Sequence, residues 1–149
     1  VAVLGGNPTP DAPDPMRGVV TLMGRILQVR RVDAPETVGY GATYRAPAPR
    51  VLATVAAGYA DGYLRHLSNA GSAVLDGVRI PVVGRVSMDL SVFDVTEAPA
   101  DAAQPGGWVQ LIGPDHPILP FVAEAGTIGY EILTSLGRRY HRQYTGAGA

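Results

Sequence analysis

Glycine and proline occur too often in this chain for long helices to be its main elements. Nineteen glycines and thirteen prolines fall within 149 residues, and each tends to end or bend a regular element. The segments between them are short and rich in β-branched residues, which favours strands joined by turns. We therefore expect a mainly β fold, an antiparallel sheet or barrel-like domain with one or two short helices.

The residue pattern places strands in several of these short segments. Asp76-Gly77 between two apolar runs predicts a tight hairpin. A single helical pattern covers residues 119–136, and Gly126 is expected to divide it into two short helices. The segments predicted as strands are residues 18–32, 50–57, 72–75, 78–80, 90–95, 108–112 and 138–144.

The first fifteen residues differ in character from the remainder. Proline fixes φ and removes a backbone donor, so the proline-rich stretch 5–15 predicts a linker rather than a regular element. We interpret residues 1–15 as what remains of a linker from a preceding domain, and residues 16–149 as one folded domain. That length is sufficient for a substantial core.

Composition narrows the classes of function. Net charge is −1 and 46% of residues are apolar, so neither a disordered chain nor an electrostatic nucleic-acid surface is favoured. No apolar run reaches membrane-spanning length and no signal peptide is visible, so we expect a cytoplasmic protein with no membrane partner. Without cysteine there are no disulfides or thiolate zinc sites, and the three histidines lack metal-ligand spacing. We expect a small molecule or a protein as partner, and no metal.

Four motifs carry the chemical signal. Tyr40 lies in Gly-Tyr-Gly-Ala-Thr-Tyr and Tyr59 in Gly-Tyr-Ala-Asp-Gly-Tyr, while Met88 follows Val-Gly-Arg-Val-Ser and Tyr130 lies in Gly-Tyr-Glu. In this order and at these separations they resemble the C-terminal domain of alanine racemase, from about residue 16 to residue 144. The resemblance implies a pyridoxal-phosphate enzyme whose other domain is a barrel that carries the cofactor lysine.

The resemblance also implies roles for individual residues. Racemisation needs a base on one face of the substrate Cα and an acid on the other. Tyr40 matches the family's catalytic tyrosine, Met88 and Tyr59 match its substrate-binding positions, and Tyr130 matches the tyrosine that binds the cofactor phosphate. The residues that match the polar lining of the substrate corridor are Arg65, Arg85 and Asp89.

Lysine is absent from this chain, which has twelve arginines instead. Pyridoxal phosphate is held covalently through a lysine amine, so this chain alone is predicted to be inactive. In the family arrangement the β domain of one subunit faces the barrel of the other in a homodimer. The implied substrate is alanine and the implied role is D-alanine supply for the cell wall. A β domain separated from that barrel should expose apolar surface.

Two alternatives remain open at this level. The chain could be a non-catalytic β module that binds a small ligand or a protein. It could also belong to a related pyridoxal-phosphate racemase that acts on serine or on a broader set of amino acids, because β-domain motifs discriminate poorly between substrates.

Overall fold

The computed structural model describes residues 18–146. It contains a six-stranded antiparallel sheet with the strand order β6-β5-β8-β1-β4-β7, a separate two-stranded hairpin β2-β3, and two helices. The bounds are β1 Leu22–Val32, β2 Glu36–Val38, β3 Tyr44–Ala46, β4 Arg50–Ala56, β5 Ser72–Leu75, β6 Val78–Pro81, β7 Ser91–Asp94, β8 Trp108–Ile112, α1 Ile118–Ala125 and α2 Gly129–Ser135.

The two edge strands of the sheet meet, so the sheet nearly closes into a barrel. Val82, which directly follows β6, forms an antiparallel bridge with Phe93 of β7. Beside it, the Val83 N–H donates to the Val92 carbonyl at 2.9 Å. Closure removes the exposed edges that an open sheet would present. The mainly β, barrel-like fold predicted from the sequence is confirmed.

Two local predictions are confirmed by backbone geometry. Asp76 and Gly77 have φ angles of 49° and 76°, as a two-residue hairpin turn with two left-handed residues requires. Gly126 ends α1 with φ 63° in the left-handed region, and α2 follows after a short gap. The predicted helical segment is therefore two helices.

Two strand predictions need correction. The first strand begins at Leu22 rather than at residue 18. The segment 138–144 is not a strand at all, because the sheet edges are already joined to each other and offer it no partner. Arg139 and Arg142 instead bind acceptors on neighbouring segments.

Leu27 is the extra residue of a bulge that breaks the alternation of β1. Ile26 pairs with Val55 and Gln28 with Thr54, so Leu27 has no counterpart on β4. Its side chain is 51% exposed. Such a bulge bends the strand and increases its local twist, which helps a sheet of few strands to curve towards closure.

The sequence did not predict the hairpin β2-β3. Each of its strands has three residues, too few for a period of two to be visible. Its connection includes the short 3-10 turn Tyr40–Ala42, so the missed element carries one of the motif tyrosines.

Three aromatic rings pack together in the main hydrophobic core. Tyr63 is fully buried, with ring centroids 6.4 Å from Phe93 and 5.9 Å from Phe121. Phe121 belongs to α1, and Ile132 of α2 is buried in the same cluster. The two helices are thus held by the barrel core rather than by their own propensity, since helices of seven or eight residues are unstable alone.

A buried polar cluster joins α1 to the strands. The Ser72 hydroxyl donates to Glu124 Oε1 at 2.7 Å, and the Ser72 N–H donates to Glu124 Oε2 at 2.7 Å. Arg79 also binds Glu124, and the His116 ring lies 3.3 Å from the Ser72 hydroxyl. Every member has a partner, as buried polar groups require. No helix within residues 18–146 is long and apolar enough to cross a membrane.

The assignment of residues 1–15 as a linker lies outside the described residues. The structure covers residues 18–146, which is most of the segment 16–149 that the sequence assigns to one domain.

Because of Tyr63, the free energy of unfolding should fall at alkaline pH. Burial, and then the charges of Glu124 and Tyr140, raise its pKa above the ordinary value. A phenol in the unfolded chain titrates near pH ~10, so above that pH the unfolded state releases its proton first and the free energy of unfolding falls. Below pH ~10 both states keep the phenol proton, so the contribution of Tyr63 to stability is fully present.

Tyr63→Phe should weaken this alkaline loss, by up to about 1.4 kcal/mol for each pH unit above ~10. At pH 8 its stability should change by about 1 kcal/mol or less, because the hydroxyl bonds to no protein group within residues 18–146. Urea unfolding across pH 8 to 11 measures both effects. Tyr144→Phe is the control, because that side chain is 77% exposed and hydrated in both states. Equal pH profiles for the two variants would contradict the assignment to Tyr63.

Candidate active site

The pairing of β4 with β7 brings two of the sequence motifs to one edge of the barrel. Val55 lies opposite Ser91, so the chain leaving β4 and the chain entering β7 are adjacent. The Ser91 hydroxyl donates to the Ala57 carbonyl at 2.7 Å. The turn of residues 58–63, which carries Tyr59, therefore meets the turn of residues 87–90, which carries Met88. We call these the Tyr59 turn and the Met88 turn.

The two turns are joined backbone to backbone. The Tyr59 N–H donates to the Ser87 carbonyl at 3.0 Å, and the Ala60 N–H donates to the Met88 carbonyl at 2.9 Å. A Cβ atom added at Gly58 would lie 2.3 Å from the Met88 carbonyl oxygen. Only glycine allows the backbones to approach so closely.

Hydrogen bonds fix the backbone of the Met88 turn. Its carbonyl is bound by Ala60, whereas its N–H has no acceptor in the described part of the chain. The Ser87 N–H and hydroxyl both donate to the Leu90 carbonyl, each at 2.9 Å, which fixes the shape of the turn. The Met88 side chain is 54% exposed. This methionine is therefore not a core residue, and within residues 18–146 no acceptor is bound to its N–H.

Tyr40 lies on the loop of the β2-β3 hairpin. Gly39 and Gly41 on either side have φ angles of 74° and 75°, a conformation that glycine adopts without strain. A Cβ at Gly39 would be 3.3 Å from the Arg85 amide nitrogen, and one at Gly41 would be 3.6 Å from the Arg85 Cζ atom. The backbone around Tyr40 thus packs against Arg85.

Asn69 connects this hairpin to Gly84, in the segment that precedes the Met88 turn. Its side chain donates to the Thr43 hydroxyl at 3.2 Å and accepts from the Gly84 N–H at 2.6 Å. The hydroxyl of the preceding residue, Ser68, accepts from the Val86 N–H at 3.0 Å. The short 3-10 turn that carries Arg65 is therefore tied to residues 84–86, beside Arg85.

Tyr130 is in the first turn of α2, and its side chain is 44% exposed. The other end of this helix packs on the Tyr59 turn, because a Cβ at Gly62 would lie 2.2 Å from the Ser135 carbonyl oxygen. The Gly137 N–H also donates to the Asp61 carbonyl at 3.3 Å. The fold therefore joins α2 to the same edge of the barrel as the Tyr59 and Met88 turns.

Asp61 and Arg139 form part of this arrangement and were not predicted from the sequence. Asp61 is buried, and its Oδ2 atom accepts from the Gly58 N–H at 2.9 Å. Arg139 lies 3.2 Å from Asp61 Oδ1 and 2.7 Å from Asp89 Oδ1. The hydrogen bond to Asp89, followed by the charge of Asp61, raises the pKa of Arg139 above its ordinary value. Nothing in the local sequence distinguishes these residues from solvated charges.

Two further tyrosines, Tyr63 and Tyr140, are less suited to act as bases at neutral pH. Burial raises the pKa of both Tyr63 and Tyr140, and the negative charge of Asp61 adds to the effect at Tyr140. A raised pKa favours the neutral phenol, which is a poor acceptor for a proton from carbon. Of the motif tyrosines, Tyr59 and Tyr130 have exposed side chains, and the backbone of Tyr40 is on a surface loop.

The candidate site is an exposed surface rather than a cavity. On the two joined turns, Tyr59, Met88 and Leu90 are each at least 36% exposed, and apolar side chains exposed next to one another can mark an interaction surface. A groove of about 170 Å³ opens elsewhere, between β1, β4 and the β2-β3 hairpin, and it reaches the motifs only at Gly39. We therefore place the site on the exposed edge and not in the groove.

Within residues 18–146, no three potential ligands of the histidine, cysteine or carboxylate type are grouped in a way that could hold a metal ion.

A family model described as "Alanine racemase, C-terminal domain" matches residues 19–144. The chain belongs to the alanine racemase C-terminal domain family. It is 52% identical to the alanine racemase of Rhodospirillum rubrum over 146 residues, and 57% identical to that of Acidiphilium cryptum over 141 residues.

The family assignment extends to the three-dimensional fold. The alanine racemase of Bartonella henselae, crystallised with covalently bound pyridoxal phosphate, matches 97% of this chain with a TM-score of 0.91 and 42% identity. That match covers 40% of the Bartonella chain. The chain likewise spans 39% of the length of the Rhodospirillum and Acidiphilium relatives.

Gly58→Ala tests the contact between the two turns. Gly58 has φ −144°, extended backbone that any residue adopts, so any loss must come from the added Cβ. The free energy of unfolding should fall by about 1–3 kcal/mol, the usual cost of overpacking. Gly18→Ala is the matched control, because a Cβ there meets nothing within 4 Å. Urea unfolding compares the two, and equal midpoints would argue against the close packing.

Proposed function

We propose that this chain is the C-terminal β domain of an alanine racemase that interconverts L- and D-alanine with pyridoxal phosphate. The main support is one geometric observation. The Tyr59 turn and the Met88 turn are joined backbone to backbone at one edge of the barrel, and that edge is exposed. The racemase names of the relatives support alanine as substrate over serine. The role we assign to the whole enzyme is cytoplasmic D-alanine supply for the cell wall.

Tyr40 is our candidate for the base that removes the Cα proton of L-alanine. A phenol ordinarily titrates near pH ~10, so a base at neutral pH needs nearby positive charge or donors. The guanidinium of Arg85 lies beside the Tyr40 turn, 3.6 Å from a Cβ placed at Gly41. Arg85 therefore gives this turn a positive neighbour. The acid on the opposite face of the substrate would come from outside this chain, because the chain has no lysine.

Met88 is our candidate for holding the substrate carboxylate. An N–H aimed at a carboxylate makes a charge-assisted hydrogen bond, and the Met88 N–H has no acceptor in the described part of the chain. Tyr59, on the adjoining turn, would line the substrate site. Arg65, Arg85 and Asp89 would line its approach.

The residues of this chain fit one side of a pyridoxal-phosphate site. Tyr130 offers a phenol hydroxyl, which suits a phosphate oxygen. Covalent attachment needs a lysine from another part of the protein. When bound, the cofactor withdraws electrons from the substrate and makes its Cα proton easier to remove. This chain would orient the substrate, accept that proton on one face and contribute one phosphate contact.

An exposed half-site implies a second protein surface. Tyr59, Met88 and Tyr130 are exposed, so they could enclose a substrate only if another surface covered them. We propose that this surface is the barrel domain of a second subunit in a homodimer. Interfaces that are permanent in this way are commonly large and apolar, which agrees with the exposed apolar side chains at this edge.

The central experiment uses a hybrid in which this chain replaces the matching region of the Rhodospirillum rubrum alanine racemase. Deuterium incorporation at Cα is followed in D₂O from L-alanine and, separately, from D-alanine. The hybrid should racemise alanine. Tyr40→Phe should slow exchange from L-alanine by about 10²-fold or more, the usual contribution of a general base, and should slow exchange from D-alanine less.

Tyr44→Phe is the matched control for this experiment, because it lies on the same hairpin but packs against the smaller core cluster. It should exchange at the rate of the unaltered hybrid. A hybrid that forms dimers and binds pyridoxal phosphate yet exchanges no deuterium would overturn the proposed function and favour a non-catalytic module. Initial rates with other L-amino acids test the preference for alanine over serine.

The chain by itself should have no racemase activity. It has no lysine to hold the cofactor, and Tyr59, Met88 and Tyr130 are exposed. Incubation of the isolated chain with pyridoxal phosphate and L-alanine should give no D-alanine above the level produced by the cofactor alone. D-alanine above that level would contradict the division of the site between two domains.

A further inference from the structure

We propose that Arg139 is a positioning residue that clamps the Met88 turn to the Tyr59 turn and thereby sets the affinity for the substrate carboxylate. The inference rests on the proposed function and extends it to a residue outside the four sequence motifs. Arg139 would touch neither substrate nor cofactor, and would act through the placement of the Met88 N–H.

The guanidinium of Arg139 touches one carboxylate from each turn. Its Nε atom is 3.2 Å from Asp61 Oδ1 on the Tyr59 turn, and its Nη2 atom donates to Asp89 Oδ1 on the Met88 turn at 2.7 Å. Asp89 directly follows Met88. The side chain therefore spans the same junction that the two backbone hydrogen bonds cross.

Asp61 links this ion pair to the backbone of its own turn. Its second oxygen accepts from the Gly58 N–H at 2.9 Å, so the carboxylate holds both the first residue of the turn and Arg139. The Asp61 side chain is 10% exposed. A carboxylate so far from water needs its partners, which distinguishes the Asp61 contact from a surface ion pair of little energetic consequence. The Arg139 and Asp89 side chains are 51% and 53% exposed, so the bridge is anchored at Asp61.

Among residues 18–146, Arg139 is the one cation in an ion pair with either carboxylate. A guanidinium reaches both because its donors form a rigid planar fork, whereas an ammonium is a compact point charge that does not reproduce this geometry. Arg139→Lys therefore keeps the charge and removes the bridge.

Arg139→Lys in the hybrid racemase should raise the KM for alanine by about tenfold, which corresponds to about 1.4 kcal/mol of lost binding. The kcat should stay within about twofold, because binding lost equally by ground and transition states changes KM alone. The Tyr59 and Ala60 amides should exchange hydrogen faster by about tenfold, since their bonds to the Met88 turn would open more often. Peptides covering residues 58–63 report that exchange without any dependence on activity.

Arg50→Lys is the matched control. Arg50 Nε lies 3.2 Å from Asp94 Oδ2, and that carboxylate is 13% exposed, so the pair closely resembles the one between Arg139 and Asp61. It lies at the other end of β4, about 20 Å along the strand from Ala56, where the strand ends before Gly58. Arg50→Lys should change neither KM nor the exchange of residues 58–63, even if it lowers the melting temperature equally.

Asp89→Asn separates the bridge from a general loss of stability. If the bridge sets affinity, Asp89→Asn should also raise the KM for alanine. The KM of the double variant with Arg139→Lys should then rise by less than the combined effect of the two single changes. Full additivity would show that the two residues act separately and would overturn the clamp.

The remaining outcomes distinguish this inference from the proposed function. Unchanged amide exchange in Arg139→Lys overturns the clamp, whatever happens to activity. Faster exchange with an unchanged KM overturns the link to substrate binding. If the unaltered hybrid does not racemise alanine, the proposed function fails together with that link, while the exchange comparison still decides whether Arg139 holds the two turns together.

Discussion

The antiparallel register between β4 and β7 is the constraint on which the candidate site depends. Because Val55 lies opposite Ser91, the residues just beyond each strand emerge at the same edge. A shift of one residue would turn each side chain to the other face of the sheet and separate the Tyr59 turn from the Met88 turn. Barrel closure through Val82 and Phe93 holds β7 from its other side. The site is therefore a consequence of strand pairing more than of any single side chain.

Two glycines allow the segments around this edge to pack more closely than side chains would permit. Gly58 admits the Met88 carbonyl, and Gly62 admits the Ser135 carbonyl at the end of α2. The Tyr59 turn is thus enclosed between the Met88 turn and the helix that carries Tyr130. Rigid backbone contacts of this kind suit a site that must present separate groups to one small molecule. The exposed apolar side chains on the same edge are consistent with a second protein surface that completes it.

Sequence reasoning succeeded where local chemistry decides the outcome. Asp76-Gly77 forms the predicted two-residue turn, in which both residues have left-handed backbone. Gly126 ends a helix in the same left-handed conformation, which glycine adopts without strain. It failed at residues 138–144, where residue types typical of a strand met no free sheet edge. It also missed the β2-β3 hairpin, because three-residue strands show no periodicity.

The amino-acid sequence by itself determined the mainly β class, the turns, the family and the absence of a lysine for the cofactor. Those features depend on residue type and short spacing alone. Only the tertiary structure decided that Asp61 and Asp89 share Arg139, and that the Met88 N–H is left without an acceptor in the described part of the chain. Asp61, Asp89 and Arg139 are separated by 28 to 78 positions in the chain. Their contact follows from strand register and barrel closure, which no local pattern encodes.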